Sequence, residues 1–205
     1  MRRNIELKAR CADLARAAAT CGRLGARRVW TRRQVDTYFA VPKGRLKLRV
    51  EAPGDAMLVR YQREDVAGAR ESLYEVTPVA DAAATLAALA ARHGVRSRVE
   101  KSRTLYLLEN VRIHLDEVVG LGTFIEFEAV MDGAGSDEAS AALIARLRDE
   151  LGIADGDLSA LSYGDMVAMG GAGARRGARG GKVSHLHLAL GGEVRNEDVT
   201  PQEQG

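Results

Sequence analysis

Cysteine is scarce in this chain, with only Cys11 and Cys21 present. They fall ten positions apart in one predicted helix, where neither a bridge along the helix nor a metal-ligand spacing is plausible, so both are expected as free thiols. Long apolar runs are also missing. None reaches the roughly 18 to 20 residues that span a bilayer, and Met1-Arg2-Arg3-Asn4 leads straight into a strand-like pattern instead of a signal-peptide core. A cytoplasmic protein with no membrane partner is therefore expected. Net charge is close to absent as well: 30 Lys+Arg against 28 Asp+Glu leave +2, which gives no reason to expect a large nucleic-acid partner. Yet 28% of the residues are charged, so the positions of the charges carry more information than their sum. With 46% hydrophobic residues over a length of 205, one domain with a substantial core and a tail is expected.

The opening segment Asn4-Ile5-Glu6-Leu7-Lys8-Ala9-Arg10 alternates polar and apolar residues with the period of a strand. Cys11 to Leu24 is Ala-rich and predicts a helix. Strands are predicted at Val29 to Phe39, Arg45 to Glu51, Met57 to Arg63 and Glu71 to Val76, with Pro42-Lys43-Gly44 and Pro53-Gly54-Asp55 as turns. Thr77-Pro78 is expected to start a second helix that ends before Gly94. The second half repeats the scheme, with strands at Arg96 to Glu100, Thr104 to Leu108, Val111 to Asp116 and Thr123 to Met131. Ser136-Asp137-Glu138 then caps a third helix through Leu151. From Gly170 the composition turns Gly- and Arg-rich, which sets the expected boundary between a domain at 1–169 and a flexible tail at 170–205. Within that tail Val183 to Leu190 could add a strand, and His185 and His187 stand two apart.

Several strands carry charge at every second position and apolar residues between. Arg45, Lys47 and Arg49 alternate with Leu46, Leu48 and Val50, and Glu126 and Glu128 flank Phe127. Periodicity alone fits either an open sheet lying on a core or a barrel with a polar lumen and helices packed outside. The signs favour the barrel. Glu6, Asp116, Glu126 and Glu128 would crowd four carboxylates together, a set of hard oxygen ligands relieved by magnesium or manganese. Lys8, Lys47, Arg49, Arg60, Lys101 and Arg103 would form a matching cationic set, relieved by a polyanion.

These residues fall in an ordered series that resembles the CYTH superfamily, which contains class IV adenylate cyclases, thiamine triphosphatases and inorganic triphosphatases. Asn4-Ile5-Glu6-Leu7-Lys8 is similar to its Glu-x-Glu-x-Lys opening, with Asn4 in place of the first Glu. The series continues through Arg45-Leu46-Lys47-Leu48-Arg49, Lys101-Ser102-Arg103-Thr104-Leu105-Tyr106 and Ile113-His114-Leu115-Asp116. It ends with Gly120-Leu121-Gly122-Thr123-Phe124-Ile125-Glu126-Phe127-Glu128 and Ser162-Tyr163-Gly164-Asp165. The resemblance is greatest to the class IV adenylate cyclase-like branch. It implies an α+β fold, an eight-stranded antiparallel β-barrel with a triphosphate threaded along its tunnel.

By that resemblance Glu6, Lys8, Glu126 and Glu128 would be catalytic. Lys8, Lys47, Arg49, Arg60, Lys101 and Arg103 would contact the triphosphate, and Glu6, Asp116, Glu126 and Glu128 would hold Mg2+ or Mn2+. Asn4, Arg112 and His114 are further candidates, Arg112 and His114 because they share the parity of Asp116, while Asn4 removes one negative charge from the metal set. Tyr163 is expected to anchor the last helix against the barrel. The implied activity is cyclisation of ATP to cyclic AMP and pyrophosphate, with a triphosphatase or a binding module without turnover as competitors, and a homodimer as a further expectation.

Overall fold

The computed structural model describes residues 1–131 and 136–177. Eight strands form in chain order: β1 (Arg2–Arg10), β2 (Arg27–Phe39), β3 (Arg45–Glu51), β4 (Asp55–Arg63), β5 (Arg70–Pro78), β6 (Val95–Leu108), β7 (Val111–Val118) and β8 (Gly122–Val130). They join in the order β1-β5-β4-β3-β2-β6-β7-β8 and close into a barrel, since β1 pairs with both β5 and β8. Every pairing is antiparallel. The expected eight-stranded barrel with helices outside is thus the observed fold.

Two expectations need correction. The segments 96–100 and 104–108 are one continuous strand, β6, because Lys101-Ser102-Arg103 is not a break: Lys101 and Arg103 are lumen residues of that strand. The second helix does not start at Thr77-Pro78, which completes β5. It starts at Ala82, where the Asp81 side chain accepts a hydrogen bond from Ala84 N and satisfies a free helix donor.

On β1, β3, β7 and β8 the apolar parity turns outward, under the helices. Helix α1 (Leu14–Arg23), capped by Asp13, and helix α3 (Asp137–Glu150), capped by Ser136, cover Ile113, Ile125, Phe127 and Ala129. Leu143, Ile144 and Leu147 of α3 are buried there, each stabilising by about 1.5–3 kcal/mol relative to exposure. Helix α2 (Ala82–His93) lays Leu89 and Ala90 over Phe39, Leu46 and Leu48. The β3–β4 side of the barrel is entered through a turn at Gly44, whose φ of 68° and the 3.0 Å approach of the Tyr61 carbonyl to its missing Cβ both require glycine.

Helix α4 (Tyr163–Gly177) closes the fold and takes in the first residues of the Gly/Arg-rich segment. Residues 178–205, with Val183 to Leu190, His185 and His187, lie outside the described residues. Among the described residues no helix is long and apolar enough to cross a membrane.

Candidate functional site

On β1, β3, β7 and β8 the apolar parity faces the helices, so their charged parity faces the barrel axis. This settles the choice that periodicity left open: the charge lines a lumen. Its cavity of about 90 Å3 is lined by Lys8, Lys47, Arg49, Arg63, Lys101 and Arg103 and by Glu6, Glu126 and Glu128. At about 10–15 Å3 per water on this measure, the space holds roughly six to nine waters, the scale of a short phosphate chain.

The side chains neutralise one another in three knots. Asp36, fully buried, accepts from Arg49 Nε at 2.7 Å and Nη2 at 2.8 Å, from Lys47 at 3.0 Å and from Lys101 at 3.5 Å. Arg103 donates to both oxygens of Asp116, at 2.7 and 2.6 Å, and to Glu126 Oε2 at 2.7 Å; Lys8 reaches Glu126 Oε1 at 2.6 Å. Glu6 Oε1 accepts from Arg70 Nε at 3.1 Å. Arg63 Nη1 also stands 3.1 Å from that oxygen, but at an angle that leaves it without a hydrogen bond, and Arg70 Nη2 has no partner either. Unpartnered buried guanidinium donors carry a desolvation penalty that an anion would relieve.

Burial and neighbouring charge set the protonation states. Burial alone would raise the Asp36 carboxyl, but Arg49, Lys47 and Lys101 outweigh it and hold it well below the usual range. Burial, then the Arg49 charge, lowers Lys47 to about 8, against the pull of Asp36. Burial and the Arg103 charge also hold Lys101 well below the ordinary lysine value. Burial favours a neutral Glu126, yet Lys8 and Arg103 keep it ionised. Glu6 goes the other way, because burial and the nearby Glu126 raise it. Burial and the Arg103 charge lower His114, which keeps the imidazole neutral at pH 7.

Most of the residues singled out from the sequence meet in this lumen: Asn4, Glu6, Lys8, Lys47, Arg49, Lys101, Arg103, Glu126 and Glu128 line the cavity. Arg60 does not. On β4 the inward parity is Val59, Tyr61 and Arg63, so Arg60 is exposed on the outer face, opposite Glu75 of β5. Its expected contact with the triphosphate is corrected on that ground. Asp116 is fully buried, with its oxygens held by Arg103 and by Tyr163 Oη at 2.8 Å. Arg112 lies 3.5 Å from Glu128. The sequence reading missed Arg63, which lines the cavity, and Arg70, which pairs with Glu6 beside it. The signal for Arg63 was present, since it ends the inward series Val59, Tyr61, Arg63, but strand ends read poorly without a fixed register.

Tyr163 comes from α4 and enters the lumen end. Its ring stacks edge-on against Phe124 at 5.0 Å, and Lys8 and Lys101 place their Nζ atoms 3.9 and 5.2 Å from its centroid. It anchors the helix as expected and also walls the cavity.

Among the described residues, one group has the chemistry of a cation site. His114, Glu126 and Glu128 offer ligand atoms that all lie within 4.8 Å of one another. Two carboxylate oxygens and an imidazole nitrogen suit a divalent ion. The donors present therefore fit a metal, with Glu126 and Glu128 from the expected set. Glu6 and Asp116 stand outside that trio; Glu126 within it also accepts from Arg103 and Lys8.

The chain belongs to the CYTH domain family, whose model matches residues 2–163. Among solved structures it is similar to the PH1012 protein from Pyrococcus horikoshii OT3, with a TM-score of 0.71 and 23% identity over 80% of this chain and 99% of that one. A candidate adenylate cyclase from Vibrio parahaemolyticus matches with a TM-score of 0.64 and 18% identity over 80% of this chain and 97% of that one. The protein HpAC1 from Hippeastrum, a candidate adenylyl cyclase with a dominant triphosphatase activity, matches with a TM-score of 0.58 and 17% identity over 82% and 96%. At these identities the likenesses show the fold. No match to a curated protein was found.

Proposed function

We propose that this chain is a divalent-cation-dependent enzyme that grips a linear triphosphate in the barrel lumen and breaks one of its phosphoanhydride bonds, with ATP converted to cyclic AMP and pyrophosphate as the leading reaction. One observation carries the reading: six cationic side chains against three carboxylates line a cavity the size of a phosphate chain. Family membership over residues 2–163 supports it.

In this reading Arg49 and Arg103 present planar donor forks to phosphate oxygens, while Lys47, Lys101 and Lys8 act as point charges along the chain. Arg63 and Arg70 use the donors they leave unpartnered in the free protein. Glu126 and Glu128 hold Mg2+ or Mn2+, which when bound polarises a phosphoryl oxygen and stabilises charge on it. Glu6 is the lumen carboxyl most easily protonated, so its Oε2, the oxygen not engaged by Arg70, receives the proton of the attacking hydroxyl or water. The remaining cations spread the charge that develops on the leaving group.

The size of the cavity favours a second reading, hydrolysis of an inorganic or organic triphosphate such as thiamine triphosphate. A lumen that accommodates only the phosphate chain leaves the organic group outside and selects weakly for it.

Incubation with ATP, tripolyphosphate and thiamine triphosphate, in magnesium and then in manganese, separates the readings. Cyclic AMP with pyrophosphate identifies the cyclase, and phosphate release identifies the triphosphatase. Tight binding without any product leaves a nucleotide- or polyphosphate-binding module and refutes the enzyme.

A further inference from the structure

We infer that His114 Nδ1 is a direct ligand of the cation held by Glu126 and Glu128, and that this nitrogen shifts the site's preference from magnesium to manganese. The inference deepens the proposed reading of the same lumen and rests on it only for the purpose of the ion.

His114 lies on β7 in register with Glu126 on β8, with Glu128 two residues further along the same face. The imidazole is 5% exposed and its Nδ1 has no hydrogen-bond partner. That is unusual for a buried polar atom next to two acceptors. Nδ1 stands 3.7 Å from Glu126 Oε2 and 3.8 Å from Glu128 Oε1. A ring N–H bonded to either carboxylate would sit at about 2.7–3.2 Å. The observed gaps are longer than that. They are separations that one ion about 2 Å from each atom can span, with Glu126 Oε2 also accepting from Arg103 Nη2 at 2.7 Å.

A second orphan points the same way. The Oδ1 of Asn4, 3% exposed, is also without a partner and lines the same cavity as Glu126 and Glu128. His114 offers a nitrogen with no charge, so the site adds a donor without adding to the repulsion between carboxylates. Magnesium favours oxygen ligands and retains its waters, whereas imidazole suits transition-metal ions. Of these two ions manganese accepts a nitrogen ligand more readily, so a set of two carboxylates and one imidazole favours manganese over magnesium. With Nδ1 on the ion, the ring carries its proton on Nε2.

The full chain is titrated with manganese(II) chloride, the free ion is followed by its EPR signal, and pulsed EPR of the bound ion reads coupling to 14N. The expected result is 14N coupling in the wild type, its loss in His114→Ala, and a fall of about ten-fold or more in the preference for Mn2+ over Mg2+ by competition. His114→Gln keeps an oxygen donor of similar reach and serves if the alanine variant does not fold; it too should lose the coupling. The double variant His185→Ala/His187→Ala should retain it. Bound manganese without 14N coupling, coupling that survives in His114→Gln, or an unchanged metal preference would each overturn the inference. If manganese binds without coupling but triphosphate is still turned over, only the ligand assignment fails. Coupling through His114 with no turnover of any triphosphate refutes the enzyme and leaves the ligand in place, and no manganese binding at all refutes both.

Discussion

Gly164 lies flat against the ring of Tyr38: a Cβ at Gly164 would come within 2.7 Å of Tyr38 Cδ2. The contact seats the first turn of α4 on the barrel, and Ser97 Oγ fixes it by donating to the Gly164 carbonyl at 2.9 Å. It also sets how deep Tyr163 reaches towards Asp116. Gly164→Ala should lift α4, with an overpacking cost of about 1–3 kcal/mol. At about 2–4 °C per kcal/mol for a chain of this size, a thermal melt should detect it, together with altered triphosphate affinity. An unchanged melting temperature would show that α4 is not seated by this contact.

The parity of β4 gives a paired test. Arg63→Ala and Arg70→Ala should each weaken tripolyphosphate binding by about 1.5–3 kcal/mol, the range for hydrogen bonds to charged groups, while Arg60→Ala should leave it unchanged. Isothermal titration reads all three. Equal losses in the three variants would place Arg60 in the lumen after all.

That pair also shows what the sequence could and could not tell. On β3 and β8 charge and apolar side chains alternate cleanly, so Lys47, Arg49, Glu126 and Glu128 could be placed on one face by counting. On β4 both parities are largely apolar, because Leu58 faces α2 while Val59 and Tyr61 face the lumen. No charge pattern remained to show which side Arg60 took. The break assumed in β6 has the same origin: charge there marks the lumen, whereas charge in most sheets marks an exposed turn. Asp116 was recognised, but that Tyr163 and Arg103 would hold both its oxygens depends on contacts across 47 and 13 residues, which spacing cannot supply. The closed barrel itself came from the family resemblance, not from periodicity.

Lys47 should make triphosphate binding depend on pH. Its folded value of about 8 lies below the ordinary 10.5, so the stability it contributes is present above 10.5 and is lost as pH falls through 8. A bound polyanion reverses the shift by favouring the charged amine. Binding should therefore take up protons between pH 8 and 10 and weaken as pH rises through that window. Titration calorimetry in buffers of different ionisation enthalpy measures the uptake, and Lys47→Met should abolish it.

Glu126→Gln should abolish metal-dependent turnover and keep the far-UV circular dichroism of the wild type. Its stability should fall by about 1.5–3 kcal/mol, because Lys8 and Arg103 lose a charged acceptor. Wild-type turnover in this variant would remove Glu126 from the metal site.

A closed ring of strands has no edge along which one strand can slip past its neighbour. β1 is held on one side by β5 and on the other by β8, so each strand's register is fixed twice. One residue inserted within β8 would exchange its two faces, turning Glu126 and Glu128 towards the helices and their apolar neighbours towards the axis. Changes of length are therefore confined to the hairpin tips and helix connections. The chain can vary there freely while the spacing between its charged strand residues stays locked.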